Sequence, residues 1–241
     1  MKENTVNARL VAHKGALPIS RDNLFAIPAP PRTLTHTPVA HRTLIELMEQ
    51  RLADHKFAIR QEEYAIQHYG ARLFGILKLK AAVSEDASFA MAFRASNDKS
   101  MALEAIAGLN VFVCDNMALA GDRNVLYRKH TSSLDIRTEV FSAVDLAISE
   151  FGSLKTSVER LKNQFISNTE AKALIYDATV KGIIPQRLLP EVGKEYFEPR
   201  HPEFKPRTMW SLHNAGTEIF KQLRPNIAME CTQGWSSLLT F

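Results

Sequence analysis

Between residues 57 and 130 the apolar positions come in short clusters. They are Phe57, Ile59 and Tyr64, then Leu73-Phe74-Gly75-Ile76-Leu77, the stretch Phe89 to Arg94, and the run Val111-Phe112-Val113-Cys114. Each is rich in β-branched or aromatic side chains and is closed by polar turn residues, which is the pattern of strands. A further strand is expected from Asn124 to Lys129. Residues 57–68 read two ways, because Glu62-Glu63 would also suit the opening of a short helix. The intervals between the runs are mostly short and lack a crossover helix, which favours hairpins of an antiparallel meander over parallel βαβ units.

From residue 135 the period changes. Val140, Val144, Ile148, Phe151, Val158, Leu161 and Phe165 follow three- and four-residue steps, the face of one helix over residues 135–166 with Gly152 as a candidate bend. At 1.5 Å per residue such a helix runs about 45 Å. Ser167-Asn168-Thr169-Glu170 is a capping box that opens a second helix over 168–181, with Gly182 and Pro185 as its stop. Weaker helices are expected over 186–197 and from Met209 to Leu223, the latter capped by Thr208 after Pro199, Pro202 and Pro206. Upstream, Leu44, Leu47, Met48 and Leu52 predict a helix over 38–54, with Thr37 as its cap and Pro38 in its first position.

Residues 1–38 contain Pro18, Pro28, Pro30, Pro31 and Pro38, show no sustained period, and carry Lys2, Arg9, Lys14, Arg21 and Arg32 against Glu3 and Asp22. They read as an extended basic arm: a strand-like wrap, a loose terminus, or a polyanion-binding or oligomer-exchanging arm. The expected organisation is this arm, a single α+β domain over 39–225, and a C-terminal tail over 226–241. In the domain, a mainly antiparallel sheet from the first half is packed by long helices from the second.

A chain of 241 residues, 45% apolar and 23% charged, is long and apolar enough to bury a sizeable core. No run approaches a membrane span, and the start MKENTVNARLVAHKG has no apolar signal region, so a cytoplasmic protein with no membrane partner is expected. Cys114 and Cys231 form no CxxC pair; Cys114 reads as an inert packing residue at a strand end. The excess of 30 basic over 26 acidic residues permits a polyanion partner without requiring one.

No nucleotide-binding glycine loop, zinc-protease helix, nucleophile elbow or calcium loop is present. The 8 histidines, at positions 13, 36, 41, 55, 68, 130, 201 and 213, never fall at i, i+3 or i, i+4, and read as surface or capping residues. Neither a catalytic residue nor a cofactor or metal is expected.

The densest polar constellation is the turn Arg94-Ala95-Ser96-Asn97-Asp98-Lys99-Ser100. Ser, Asn and Asp satisfy their own backbone in such turns, yet Arg94 and Lys99 also offer charge, and Ser96, Asn97 and Ser100 neutral donors, to an anion. Asn116 ends the next polar cluster, where Asp115 could share a divalent cation with Asp98; Arg128-Lys129-His130 beside Tyr127 is a compact basic triplet suited to phosphates. Trp210, Asn214 and Thr217 fall one turn apart on a late helix, as core packing requires.

Phe93 to Ser100, followed by Val111 to Asn116, resembles a family of unknown function in phage and plasmid genomes that includes the prophage YafZ-like proteins, and Trp210, Asn214, Ala215 and Thr217 resemble its final helix. Ala95 departs from the polar residue expected there. The resemblance implies that Arg94, Ser96, Asn97, Asp98 and Ser100 occupy the family's turn, with Cys114 and Asn116 on the following strand end. It brings a context of mobile genetic elements and no reaction. The expectation is a non-enzymatic nucleic-acid-binding protein, with Arg94, Lys99, Arg128 and Lys129 on phosphates and Asn97 and Asn116 positioning the strand; self-association is also expected. The alternatives are an anti-defence protein that binds a host defence protein or sequesters a small anionic ligand, and a metal-dependent nuclease.

Overall fold

A computed structural model describes residues 16–84, 87–111, 116–223 and 225–239. Its strands are β1 (Leu17–Pro18), β2 (Ile59–Gln67), β3 (Arg72–Ser84), β4 (Ala87–Ser96), β5 (Leu103–Val111) and β6 (Asn116–Arg128). They form one sheet in sequence order, the antiparallel meander that the short intervals predict. Two short helices precede β2, namely α1 (Arg21–Phe25) and α2 (His41–Asp54); α3 (Ile136–Asn163), α4 (Asn168–Val180), α5 (Leu189–Phe197), α6 (Met209–Phe220) and α7 (Pro225–Leu239) follow β6. The α+β class is as the sequence pattern indicates. None of the described helices is long and apolar enough to cross a membrane.

Several boundaries differ from expectation. Of the two readings of residues 57–68, the structure has the strand: β2 pairs with β3 from Ile59↔Leu79 to Gln67↔Arg72. β5 starts at Leu103, well before the apolar run at Val111, and residues 112–115, Cys114 among them, lie outside the described residues. α2 starts at His41 behind Ala40, without a side-chain cap. Thr37 lies three residues before that cap, with its amide donating to the carbonyl of His130 at 3.2 Å. Within residues 226–241, where a tail is expected, the structure has α7, whose Trp235 is fully buried.

The described residues divide into two compact units, lying within residues 1–80, 91–106 and 124–147, and within residues 81–90, 107–123 and 148–241. In the first, α2 buries Leu44, Ile45, Met48 and Leu52, one face at helical spacing. In β3, residues 73–79 are all buried, so this strand is covered on both faces, as its near-continuous apolar run requires. Lys78 is the exception in chemistry but not in burial; its ammonium reaches Glu63 on β2 at 2.9 Å. Gly75 lies under the ring of Phe93, and a Cβ there would come 2.2 Å from that ring. Phe93 in turn meets Tyr64 edge to face.

The former arm is not loose where it is described. Leu17 and Pro18 pair with β2, Leu24 is fully buried, and Arg21 bridges Glu49 on α2 and Glu62 on β2 at 2.5 and 2.7 Å.

The helices α4 to α7 of the second unit pack around a core of their own. Ser167 caps α4 in a full capping box and Thr208 caps α6, both as the sequence predicts. α5 packs on α6, and α6 on α7. The α6–α7 contact is close because residue 216 is glycine: a Cβ there would lie 2.3 Å from the indole nitrogen of Trp235, which donates to the carbonyl of His213 at 3.2 Å. His213 stacks on Trp210 and shares a 2.9 Å hydrogen bond with Ser236. Of the histidines read as surface residues, His36, His41, His130 and His213 are buried.

Gly216→Ala is expected to drive Trp235 from its notch and to cost about 1–3 kcal/mol, read as a lower urea midpoint with red-shifted tryptophan emission. Gly75→Ala should cost a similar amount, and adding Phe93→Leu should recover part of it, a non-additivity that a double-mutant cycle detects.

A pH dependence follows from the buried imidazoles. Burial pushes His213 down from its ordinary 6.5 to about 4. Burial also lowers His41, against the bond to Gly70, and lowers His130, helped by the neighbouring His36. The unfolded chain binds these protons more readily, so their contribution is complete above 6.5 and is lost as the pH falls below it towards about 4. Urea midpoints should decline through this window, above the range in which Asp98 titrates; a flat profile there would contradict neutral burial.

Candidate functional site

In an antiparallel meander alternate turns fall on one edge of the sheet. The end of β2, both ends of the β4–β5 turn, the start of β3 and the end of β6 therefore share an edge, and all of these residues belong to the first unit. Neighbouring strands lie about 4.8 Å apart, so the end of β6 is one strand's width from the start of β5.

The β2–β3 connection is His68, Tyr69, Gly70 and Ala71. His68, Tyr69 and Gly70 are all left-handed, with φ of 50°, 55° and 89°. Only glycine adopts this conformation freely; for the other two it costs about 1–2 kcal/mol each. The surroundings hold it. His41 Nε2 donates to the Gly70 carbonyl at 2.7 Å, and the Asn97 amide donates to the Ala71 carbonyl at 2.8 Å. Gly70 also packs on Ile27, where a Cβ would approach within 2.8 Å. Tyr69 points into solvent, wholly exposed.

The β4–β5 turn closes on itself. The buried Ser96 hydroxyl accepts from the Met101 amide at 2.9 Å and donates to its carbonyl at 3.0 Å. Asn97 turns away from solvent: its Oδ1 accepts from the Val39 amide at 2.9 Å and its Nδ2 donates to the Val39 carbonyl at 3.0 Å. Asp98 accepts from Arg72 Nε at 2.8 Å, from the Ser100 amide at 3.0 Å and from the Ser100 hydroxyl. Partial burial pushes the Asp98 carboxyl up, but the bonds from Ser100 and Arg72 outweigh it and hold it at about 2. Lys99, at the tip, is exposed and left-handed with φ of 64°.

The segment before α2 is sewn to this edge at three places. Arg32 donates to the Ser132 carbonyl at 2.7 Å, His36 Nδ1 donates to the His130 carbonyl at 2.8 Å with the two rings stacked, and Val39 is held by Asn97. The other ring nitrogens, His36 Nε2 and His41 Nδ1, have no hydrogen-bond partner among the described residues. Local sequence gave no sign of this cluster, because its members lie on separate segments.

Of the expected site residues, Ser96, Asn97, Lys99, Ser100, Arg128 and Lys129 lie on this edge, but their duties diverge. Ser96 and Asn97 are occupied by backbone groups, and Ser100 by Asp98. Arg94 lies back along β4 against Glu104, at 2.5 Å, because that carboxylate is buried and needs a counter-charge. Arg128 pairs with Glu139 of α3 at 2.8 Å. Lys99 and Lys129 are exposed and have no ion-pair partner among the described residues. Asn116 opens the strand that Arg128 closes and belongs to the second unit, so it does not join them. The pairing of Asp98 with Asp115 on a cation cannot be drawn, since residue 115 lies outside the described ones; among these no cluster of His, Cys, Asp or Glu is arranged to hold a metal ion.

Sequence reasoning missed Tyr69, His41 and Arg72. The signal for the first was present in Tyr69-Gly70 between two apolar runs, a turn dipeptide with an aromatic where polar residues are usual. Trp210, Asn214 and Thr217 are buried in the second unit, with Asn214 Nδ2 donating to the Trp210 carbonyl at 2.9 Å, which is the packing role expected of them.

No curated protein and no solved structure matches the chain. One family does, described as a domain of unknown function (DUF932), and its match over residues 32–236 begins at Arg32, where the sewn segment first meets the sheet edge, and ends just past Trp235. A match over most of the chain, covering both units, makes this protein a member of the DUF932 family.

Proposed function

We propose that this protein binds nucleic acid without catalysing a reaction on it, through the sheet edge formed by the β2–β3 and β4–β5 turns and the end of β6, in the biology of a phage or plasmid. The observation that carries the proposal is the distribution of charge there. Arg72, Arg94 and Arg128 each face a carboxylate, whereas Lys99 and Lys129 stand exposed with none among the described residues. Uncompensated lysines on a rigid edge attract a polyanion, and phosphates neutralise them without a large desolvation cost. Lys99 also has a left-handed backbone, which sets where its side chain leaves the turn. The mobile-element context rests on the resemblance of the turn Phe93 to Ser100 and of Val111 to Asn116 to phage and plasmid proteins.

Two neutralised phosphates correspond to a slope of about −1.4 in log affinity against log salt for a single strand. Titration of a labelled oligonucleotide at several salt concentrations should give that slope for the wild type, and a value near zero for Lys99→Ala/Lys129→Ala. Arg94→Ala should behave differently, leaving the slope in place and lowering stability by about 1–3 kcal/mol, because Glu104 loses its buried partner. Wild-type protein that binds neither single strands nor duplex at low salt would overturn the proposal and favour a protein partner or a small anion.

A further inference from the structure

We infer that Tyr69 is a stacking platform for an unpaired base, so that the ligand of this edge is single-stranded nucleic acid; the inference rests on the nucleic-acid reading of the edge and names its substrate. Tyr69 occupies a left-handed position, φ 55° and ψ 33°, where glycine or asparagine would sit without strain. Its ring does nothing to offset the cost. It is fully exposed and has neither a hydrogen bond nor a ring contact among the described residues. An aromatic held in a strained conformation with no packing in return is the mark of a group presented to something outside the chain.

The presentation is rigid. Gly70 is pinned through its carbonyl by His41 and by contact with Ile27, and Ala71 is pinned by the Asn97 amide. Both ring faces are open, and the backbone from which the ring projects is held by these contacts. The same turn carries His68, which lies 3.8 Å from Asp98, and Arg72, which holds that carboxylate, so Tyr69 stands beside the turn that displays Lys99.

A phosphate-binding lysine and an open aromatic ring make complementary demands. The lysines read charge, which single strands and duplexes both carry; the ring reads the face of a base, which in a duplex is hidden against its neighbours. The combination selects strands whose bases are free to leave the stack.

The test uses the full chain and three probes of equal charge: an oligothymidylate of about twenty nucleotides, the same backbone with abasic sites, and a duplex of about ten base pairs. The wild type should bind the base-bearing strand about tenfold more tightly than the abasic one. Tyr69→Ala should abolish that ratio while keeping the salt slope, and Tyr69→Phe should preserve it. Tyr69→Gly should lose the ratio and raise the thermal unfolding midpoint, since it relieves the backbone, which separates lost stacking from lost folding. Equal wild-type affinity for the base-bearing and abasic strands, tighter binding of the duplex, or an undiminished ratio in Tyr69→Ala would each overturn the inference and leave the charge reading standing. Wild-type silence towards all three probes would overturn both.

Discussion

The side-chain amide of Asn97 pairs with both backbone groups of Val39, doing for one residue what a neighbouring strand does for many. Its own backbone amide is given to Ala71. One residue thus joins three segments of chain: the stretch before α2, the β2–β3 turn and the β4–β5 turn. Through Val39 it fixes the entry to α2, and two residues later His41 reaches the Gly70 carbonyl. The left-handed turn at 68–70 is therefore held by a closed circuit, Asn97 to Val39, His41, Gly70, Ala71 and back to Asn97. Backbone strain persists only where neighbours over-determine it, and this circuit is what over-determines it.

Histidines surround the circuit. His36, His41 and His130 are each buried, and the interactions that bear on them come from backbone carbonyls and from one another. An imidazole suits such a place because it offers one donor and one acceptor on a rigid ring, and its tautomer is selected by the carbonyl it meets. A lysine would bring a charge that nothing compensates. Lys78 shows the contrast: it is buried too, but with the Glu63 carboxylate beside it.

The elements whose signals are local were legible. The capping box at Ser167, the cap at Thr208 and the apolar periods of α2, α3 and β3 depend on residues within a turn or two of one another, and the structure places them close to expectation. What was not legible depends on partners remote in sequence. Asn97 reads as a turn residue that satisfies its neighbours, but its partner is Val39. Arg94 reads as a free cation until Glu104 is seen buried beside it. The tail became α7 because Trp235 fits a notch that only Gly216, on another helix, provides. Of the candidate site, the edge and its lysines were visible as a cluster of polar turns, while the division of labour between clamp residues and exposed charges was not.

The tie between Arg32 and Ser132 spans a separation of 100 residues, and the His36–His130 tie spans 94. Contacts of that span must close a long loop before they return any stability, so they form late and slow the search for the native state. During synthesis the segment before α2 emerges well ahead of the residues that will hold it: Val39 waits for Asn97, and Arg32 and His36 wait for the residues that follow β6. The circuit through His41 can close once Asn97 is made, whereas the ties of Arg32 and His36 should be the last part of this edge to mature.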